Sequence, residues 1–172
     1  RAVLHSGDAV VIKVQRPGIY ELMSRDIAMM HKAVKLLPPV SIKELVDFDM
    51  VLDEMWTVAQ EEMDFLIEAA NMEEFARNNK DVAFVATPKL YREYTTKHVL
   101  VMEYIDGFAV DAKASLTDNG YDLQEVGSKL VDNYIRQVME DGFFHADPHP
   151  GNVRVRGGKI VWIDMGMMGR LS

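Results

Sequence analysis

The chain contains no cysteine among its 172 residues, which excludes disulfides, zinc–thiolate centres and thiol nucleophiles. It has no apolar run long enough to span a bilayer and no signal peptide. A basic stripe is also missing. Lys and Arg total 19 against 27 Asp and Glu, the formal net charge is −8, and the acidic residues are dispersed rather than blocked together. Nucleic acid is therefore not expected as a partner. A nucleotide is not excluded, because it arrives with a magnesium counter-ion. Internal repeats and low-complexity segments are absent too. What remains is 48% hydrophobic and 27% charged, the composition of a core-bearing globular domain or the bulk of a larger one. Arg1 is not a Met, and Ser172 follows closely on the last motif, so a piece of a longer protein is expected.

The last third carries the chemistry. His145-Ala146-Asp147-Pro148-His149-Pro150-Gly151-Asn152 is followed by Val161-Trp162-Ile163-Asp164-Met165-Gly166. Asp147 and Asn152 are five positions apart, and Asp164 lies 12 further on at the end of an apolar stretch. One carboxylate to orient a nucleophile, then an amide and a second carboxylate to hold a metal on phosphate oxygens, is the layout of phosphoryl transfer. The prolines stiffen the loop. An isolated Asp-Pro pair would be only a turn; the joint spacing points to a site.

Residues 9–15 read as a β-branched strand ended by Pro17-Gly18. Helical spacing follows from Ile19 to Leu37, with Pro38-Pro39 as the stop. Ser41-Ile42-Lys43-Glu44 is a capping box opening a helical stretch, with a possible break, to about Asn78. Short strands are expected at Val82–Ala86, Lys89–Tyr94 and His98–Tyr104. An amphipathic helix is expected over Leu123–Asp141 with Gly142 as its cap. Residues 153–155 and 159–163 read as a hairpin around Arg156-Gly157-Gly158. The order predicts an α+β fold of two lobes, with the break near Asp106-Gly107.

Lys13 interrupts the first strand, on the same face as Val11. It is either a lysine on a half-solvated sheet or a phosphate-binding lysine held by a carboxylate from a facing helix. Glu61, Glu62, Asp64 and Glu68 are the candidates. Helical spacing puts Asp64 and Glu68 on one face, with Glu61 nearby, where like charges repel unless a lysine or metal relieves them. His145 reads as a loop brace. His149 is unassigned, and the 12 methionines read as adaptable packing.

These segments, with Glu68-Ala69-Ala70-Asn71 and Val101-Met102-Glu103-Tyr104, resemble the UbiB-like (aarF-domain) atypical kinases over nearly the whole chain. The resemblance implies a protein-kinase-like fold, here truncated at both ends: residues 1–105 as an N-lobe with inserted helices, and 106–172 as a partial C-lobe. It implies Mg-ATP as cofactor. By the same resemblance Lys13 contacts the phosphates, Glu68 pairs with Lys13, and Glu62 and Asp64 shape the nucleotide site. Glu103, Tyr104 and Ile105 fall in the adenine-binding hinge. Asp147 is the catalytic aspartate, and Asn152 and Asp164 are magnesium ligands. Met165 stands where the family usually has Phe. The family supports ubiquinone and other isoprenoid lipid metabolism. This implies an unknown phosphoryl acceptor or lipid as partner and possible contact with a membrane surface. The implied location is cytoplasmic or peripheral to the inner membrane in a bacterium, mitochondrial or plastid in a eukaryote. The piece alone is expected to be a poor enzyme. Two alternatives stay open. One is a small-molecule phosphotransferase of the aminoglycoside or choline kinase type, against which the Lys13–Gly18 strand end and the Glu62–Asp64 pair count. The other is a nucleotide- or lipid-binding module without turnover.

Overall fold

The computed structural model describes residues 1–36 and 47–171. The fold is α+β, as expected. Strands β1 (Ala2–Val3), β2 (Ala9–Val14) and β4 (Val99–Glu103) form an antiparallel sheet in the order β1-β2-β4. The register pairs Lys13 with Leu100 and Val10 with Glu103. A second sheet runs β3 (Val85–Ala86), β8 (Lys159–Trp162), β7 (Val153–Arg156), β5 (Phe108–Ala109). A third pairs β6 (Phe143–His145) with β9 (Met168–Arg170).

Among the described residues, three helices lie between β2 and β3. Helix α1 spans Ile19–Leu36, α2 Phe48–Glu62 and α3 Phe65–Asn78. The expected end of the first helix at Leu37 and Pro38-Pro39, and the Ser41–Glu44 capping box, lie outside the described residues. Asp47 caps α2 instead, accepting the Met50 N–H at 3.0 Å. The break in the acidic stretch falls at Met63–Asp64. Asp64 is extended (φ −118°, ψ 96°), and its carboxylate accepts the Leu66 N–H at 3.0 Å as the N-cap of α3. Two bonds dock this corner on the first sheet: Gln15 Nε2 donates to the Met63 carbonyl at 2.9 Å, and the Phe65 N–H donates to the Lys97 carbonyl at 3.0 Å. The shared face expected for Asp64 and Glu68 is therefore not formed, because an N-cap is not a helical residue.

Of the three strands expected over 82–104, the last forms as β4. The first shrinks to Val85–Ala86, because Val82 and Val85 donate backward into turns. Lys89–Tyr94 pairs its backbone with β4 at a bridge, Leu90–Met102, and then curls into a 3₁₀ turn. The Thr95 hydroxyl is the physical reason. It donates to the Tyr91 carbonyl and accepts the Val101 N–H, taking bonds a ladder would have used. Helix α4 (Lys113–Asp118) and α5 (Leu123–Arg136) come next. Beyond Arg136 the expected helix continues as a single π turn, Gln137–Asp141, capped by Gly142 at φ +60°. The hairpin β7–β8 forms around Gly157 and Gly158, both at positive φ as its tight turn demands.

One apolar core joins α3 (Ala69, Met72, Phe75), β4 (Leu100, Met102), β7 and β8. At its centre Trp162 has no exposed surface and packs against Phe75, Tyr134 and His145. Burial of each such side chain contributes about 1.5–3 kcal/mol. This core is what holds the lysine sheet against the loops that follow α5. Among the described residues no helix is long and apolar enough to cross a membrane.

Candidate functional site

Lys13 does not point to open solvent. Its Nζ donates to Glu68 Oε1 at 2.6 Å and to Asp164 Oδ2 at 2.9 Å. The three residues come from β2, the first turn of α3 and the segment after β8, separated by 55 and 151 positions in the chain. The reason is local at each element. Pleating puts Lys13 and Val11 on one face of β2. Asp64 starts α3 so that Glu68 falls one turn in, 5% exposed. Hydrogen bonding of α3 to the loop then seats Asp164: Glu68 Oε1 accepts the Met165 N–H at 3.3 Å, and Asn71 Nδ2 donates to the Met165 carbonyl at 3.0 Å. Met165 itself is buried in the core at 1% exposure, so it fills its position as an apolar residue should.

A cavity of about 310 Å³ opens over this cluster, lined by Lys13, Glu62, Glu68, Asp147, Asn152 and Asp164 among others. A second, of about 350 Å³, shares Lys13, Asn152 and Asp164 and extends along Val11, Met102, Glu103, Tyr104 and Ile105 to Gly151. Of the candidate site residues read from the sequence, all but Glu61 and Asp64 line one cavity or the other. Asp64 spends its carboxylate on the helix cap and stands 3.8 Å from Lys97. Glu103 lines the second cavity with a carboxylate already engaged, by Arg156 at 2.7 Å and the Lys89 N–H at 3.1 Å.

The electrostatics follow from crowding two carboxylates on one ammonium. For Lys13, burial works against the charge, but Glu68 and Asp164 outweigh it and raise its pKa. For Asp164, burial works against ionisation, yet Lys13 and the Gly166 N–H at 3.0 Å hold its pKa below the usual carboxylate value. For Glu68, burial is the larger influence and pushes it up, opposed by Lys13.

The loop between β6 and β7 is braced from within. His145 is 1% exposed; its Nε2 donates to the Asp164 carbonyl at 2.7 Å, and its Nδ1 accepts the Asp147 N–H at 3.2 Å. Both bonds hold together only in the neutral Nε2–H tautomer. Burial, the largest influence, lowers the His145 pKa in the same sense. His149 Nδ1 accepts the Gly151 N–H at 3.0 Å, which settles the histidine that the sequence left unassigned as a turn brace. Asn152 Nδ2 donates to the Asp147 carbonyl at 3.1 Å, so its Oδ1 is the atom available to a cation.

The donor set suits a hard cation. Asp164 and Asn152 offer oxygen only, and among the described residues no group of three or more His, Cys, Asp or Glu could hold a metal by itself. Two protein oxygens, with the remainder from water and phosphate, is how magnesium is held beside a nucleotide. The site residues missed from sequence are Asn71, which seats the Asp164 loop, and Arg156, which engages Glu103. Asn71 closes the Glu68–Asn71 segment and Arg156 opens the hairpin turn, but only their contacts reveal these roles.

The sequence model of the ABC1 atypical kinase-like domain family matches residues 1–172. Relatives include an uncharacterized protein of the hydrogenase 1 5′ region of Clostridium pasteurianum, 40% identical over 99% of this chain and 32% of its own length. Another is the Arabidopsis thaliana chloroplastic protein Activity of BC1 complex kinase 8, 41% identical over 96% of this chain and 23% of its own. The chain thus spans about a quarter to a third of the length of such relatives. A Mycobacterium tuberculosis structure, the complex of Rv3197 with erythromycin, superposes with a TM-score of 0.77 at 27% identity, covering 98% of this chain and 42% of that one. Sequence, kinase-like α+β fold and cleft agree, and the chain belongs to the ABC1 atypical kinase-like domain family.

Proposed function

We propose that this chain is the nucleotide-handling part of an Mg-ATP-dependent phosphotransferase or ATPase. The observation that carries the reading is the pair of hydrogen bonds that Lys13 donates to Glu68 and Asp164 in the same cavity as Asp147 and Asn152. Residues 1–105 and 106–172 act as two lobes on either side of the nucleotide. The cavity edged by Met102, Glu103, Tyr104 and Ile105 would take the base, and Lys13 would meet the phosphates. Asp164 and Asn152 would hold magnesium, which would supply positive charge to the phosphate oxygens. Lys13 offers its ammonium to a phosphate while Glu68 keeps it aimed. Asp147 orients the attacking hydroxyl or water and accepts its proton. Glu62 faces the same cavity and limits how much negative charge the cavity accepts.

An apolar groove of about 590 Å³ adjoins the phosphate cavity through Glu62 and Met167, walled by Met50, Val51, Met55 and Val58. It supports an acceptor with an apolar body, in keeping with a role in isoprenoid lipid metabolism at a membrane surface. Two relatives are chloroplastic by name, which supports a plastid as one setting for the family.

The test is calorimetric, in the full-length parent. Wild type is expected to bind ATP in the presence of magnesium, and Asp164→Asn to lose at least 100-fold in that affinity. Unchanged binding by Asp164→Asn removes the metal-ligand role.

A further inference from the structure

Below the cavity runs a line of buried side-chain amides that the proposed chemistry does not use. Asn79, Asn133 and Gln137 are 6%, 1% and 0% exposed. Asn79 Nδ2 donates to the Phe75 carbonyl at 3.0 Å, and Asn133 Nδ2 donates to Asn79 Oδ1 at 2.7 Å. Asn133 Oδ1 accepts from both the Trp162 indole at 2.8 Å and Gln137 Nε2 at 2.9 Å. Gln137 Oε1 then accepts the backbone N–H of His145 at 3.0 Å.

The direction of every bond follows from the two ends. The Trp162 indole and the His145 N–H are donors only. Asn133 must therefore present oxygen to Trp162, Gln137 must present its NH₂ to Asn133, and its oxygen is left for His145. No amide can flip without leaving two buried groups unpaired. Gln137 also opens the π turn, a local irregularity that often accompanies functional sites.

We propose that Gln137 is a positioning residue for the Asp147 loop. It anchors the His145 backbone, so that the His145 ring stays clamped between the Asp147 N–H and the Asp164 carbonyl. The Tyr134 hydroxyl, donating to the His145 carbonyl at 3.3 Å, is a weaker second anchor. This rests on the reading of the cavity as a phosphoryl-transfer site.

Two substitutions separate positioning from plain packing. Gln137→Met keeps the volume and removes both hydrogen bonds. Gln137→Glu, protonated by its burial, keeps an acceptor for His145 and a donor for Asn133. Packing and the cost of a buried carboxyl predict that Glu is the worse replacement. Positioning predicts the reverse order in turnover per folded molecule: wild type, then Glu, then Met.

The experiment uses the full-length protein, with ATP turnover, nucleotide affinity and amide hydrogen exchange read together. Gln137→Met is expected to lower kcat about 10-fold or more with nucleotide affinity within about three-fold, and to speed exchange at His145 and Asp147 about 10-fold. Leu116→Ala, a buried residue of α4 outside the site, is the control for lost stability and is expected to leave kcat per folded molecule unchanged. Wild-type kcat and unchanged exchange in Gln137→Met overturn the proposal, as does the order Met above Glu. If Gln137→Met does not fold, Gln137→Glu decides: turnover and exchange within about three-fold of wild type support the proposal, and loss of both overturns it. If wild type itself transfers no phosphoryl group, the functional reading fails, and the positioning claim is then decided by exchange alone.

Discussion

The charged cluster at the cleft and the amide line beneath it are both polar and partly or wholly buried, yet they are built on opposite rules. Lys13, Glu68 and Asp164 crowd opposite charges and keep one side open to a cavity. Asn79, Asn133 and Gln137 are neutral, closed to the cavity and paired in a single direction. Charge suits groups that face a cavity and can meet a charged ligand there. Neutral amides serve where geometry must not change, because they can be buried without the desolvation cost of an ion. His145 is the joint between the two regions, with its backbone on the amide side and its ring on the charged side.

The comparison breaks most visibly at the reacting groups. Asp147→Asn is expected to lower phosphoryl transfer by about 10²–10⁴-fold while nucleotide affinity stays within about three-fold, measured by steady-state turnover and calorimetry. Intact turnover would assign the loop a binding role alone.

The next effect is on stability. Lys13→Met leaves Glu68 buried without its cation, at a cost of about 3–5 kcal/mol in chemical denaturation. Adding Glu68→Gln is expected to recover most of that loss and none of the nucleotide affinity. A double variant no more stable than Lys13→Met shows that the pair is not coupled as its geometry implies.

The pH dependence sharpens the contrast further. His145 has its pKa lowered in the fold, so its share of stability is present above the unfolded value of about 6.5 and is lost as pH falls toward the folded value. Asp164, also lowered, holds its share above about pH 3.9 and loses it further into acid. Lys13, raised, holds its share below about pH 10.4 and loses it only above that. Thermal melts are therefore expected to show a first acid step that His145→Gln removes and a later one that Asp164→Asn removes. A single step unaffected by either variant contradicts both assignments.

The smallest effect belongs to the surface. Lys97→Ala removes a contact 3.8 Å from Asp64 with the lysine 61% exposed, and is expected to change stability by less than about 0.5 kcal/mol. A larger change would give the α2–α3 corner an electrostatic role that its backbone bonds do not require.

Much of the site was legible along the chain because its residues carry chemistry in tight local spacing. Asp147, Asn152 and Asp164 declared themselves by position, and Lys13 by being a charge in an apolar strand. Periodicity revealed β2, α1, α5 and the β7–β8 hairpin, where repeats are long enough to read. It could not reveal β5 or β9, which are two and three residues long and exist only because a partner strand is there. It placed Asp64 on a helical face, where the fold uses it as a cap. It missed the shortening of the strand at 89–94, because the Thr95 hydroxyl competes for ladder bonds only once Tyr91 and Val101 are brought to it.

The amino-acid order by itself determined which groups of reactive type exist and how far apart they lie along the backbone. Residue spacing left Glu61, Glu62, Asp64 and Glu68 open as partners of Lys13, and tertiary structure brings Glu68 to it, as the resemblance implied; tertiary structure alone decided that three amides, from the C-cap of α3, from α5 and from the π turn, line up under His145. The physical reason is that local propensity acts over a few residues. Pairing a lysine with a carboxylate 55 or 151 positions away is set by the core that packs their elements together.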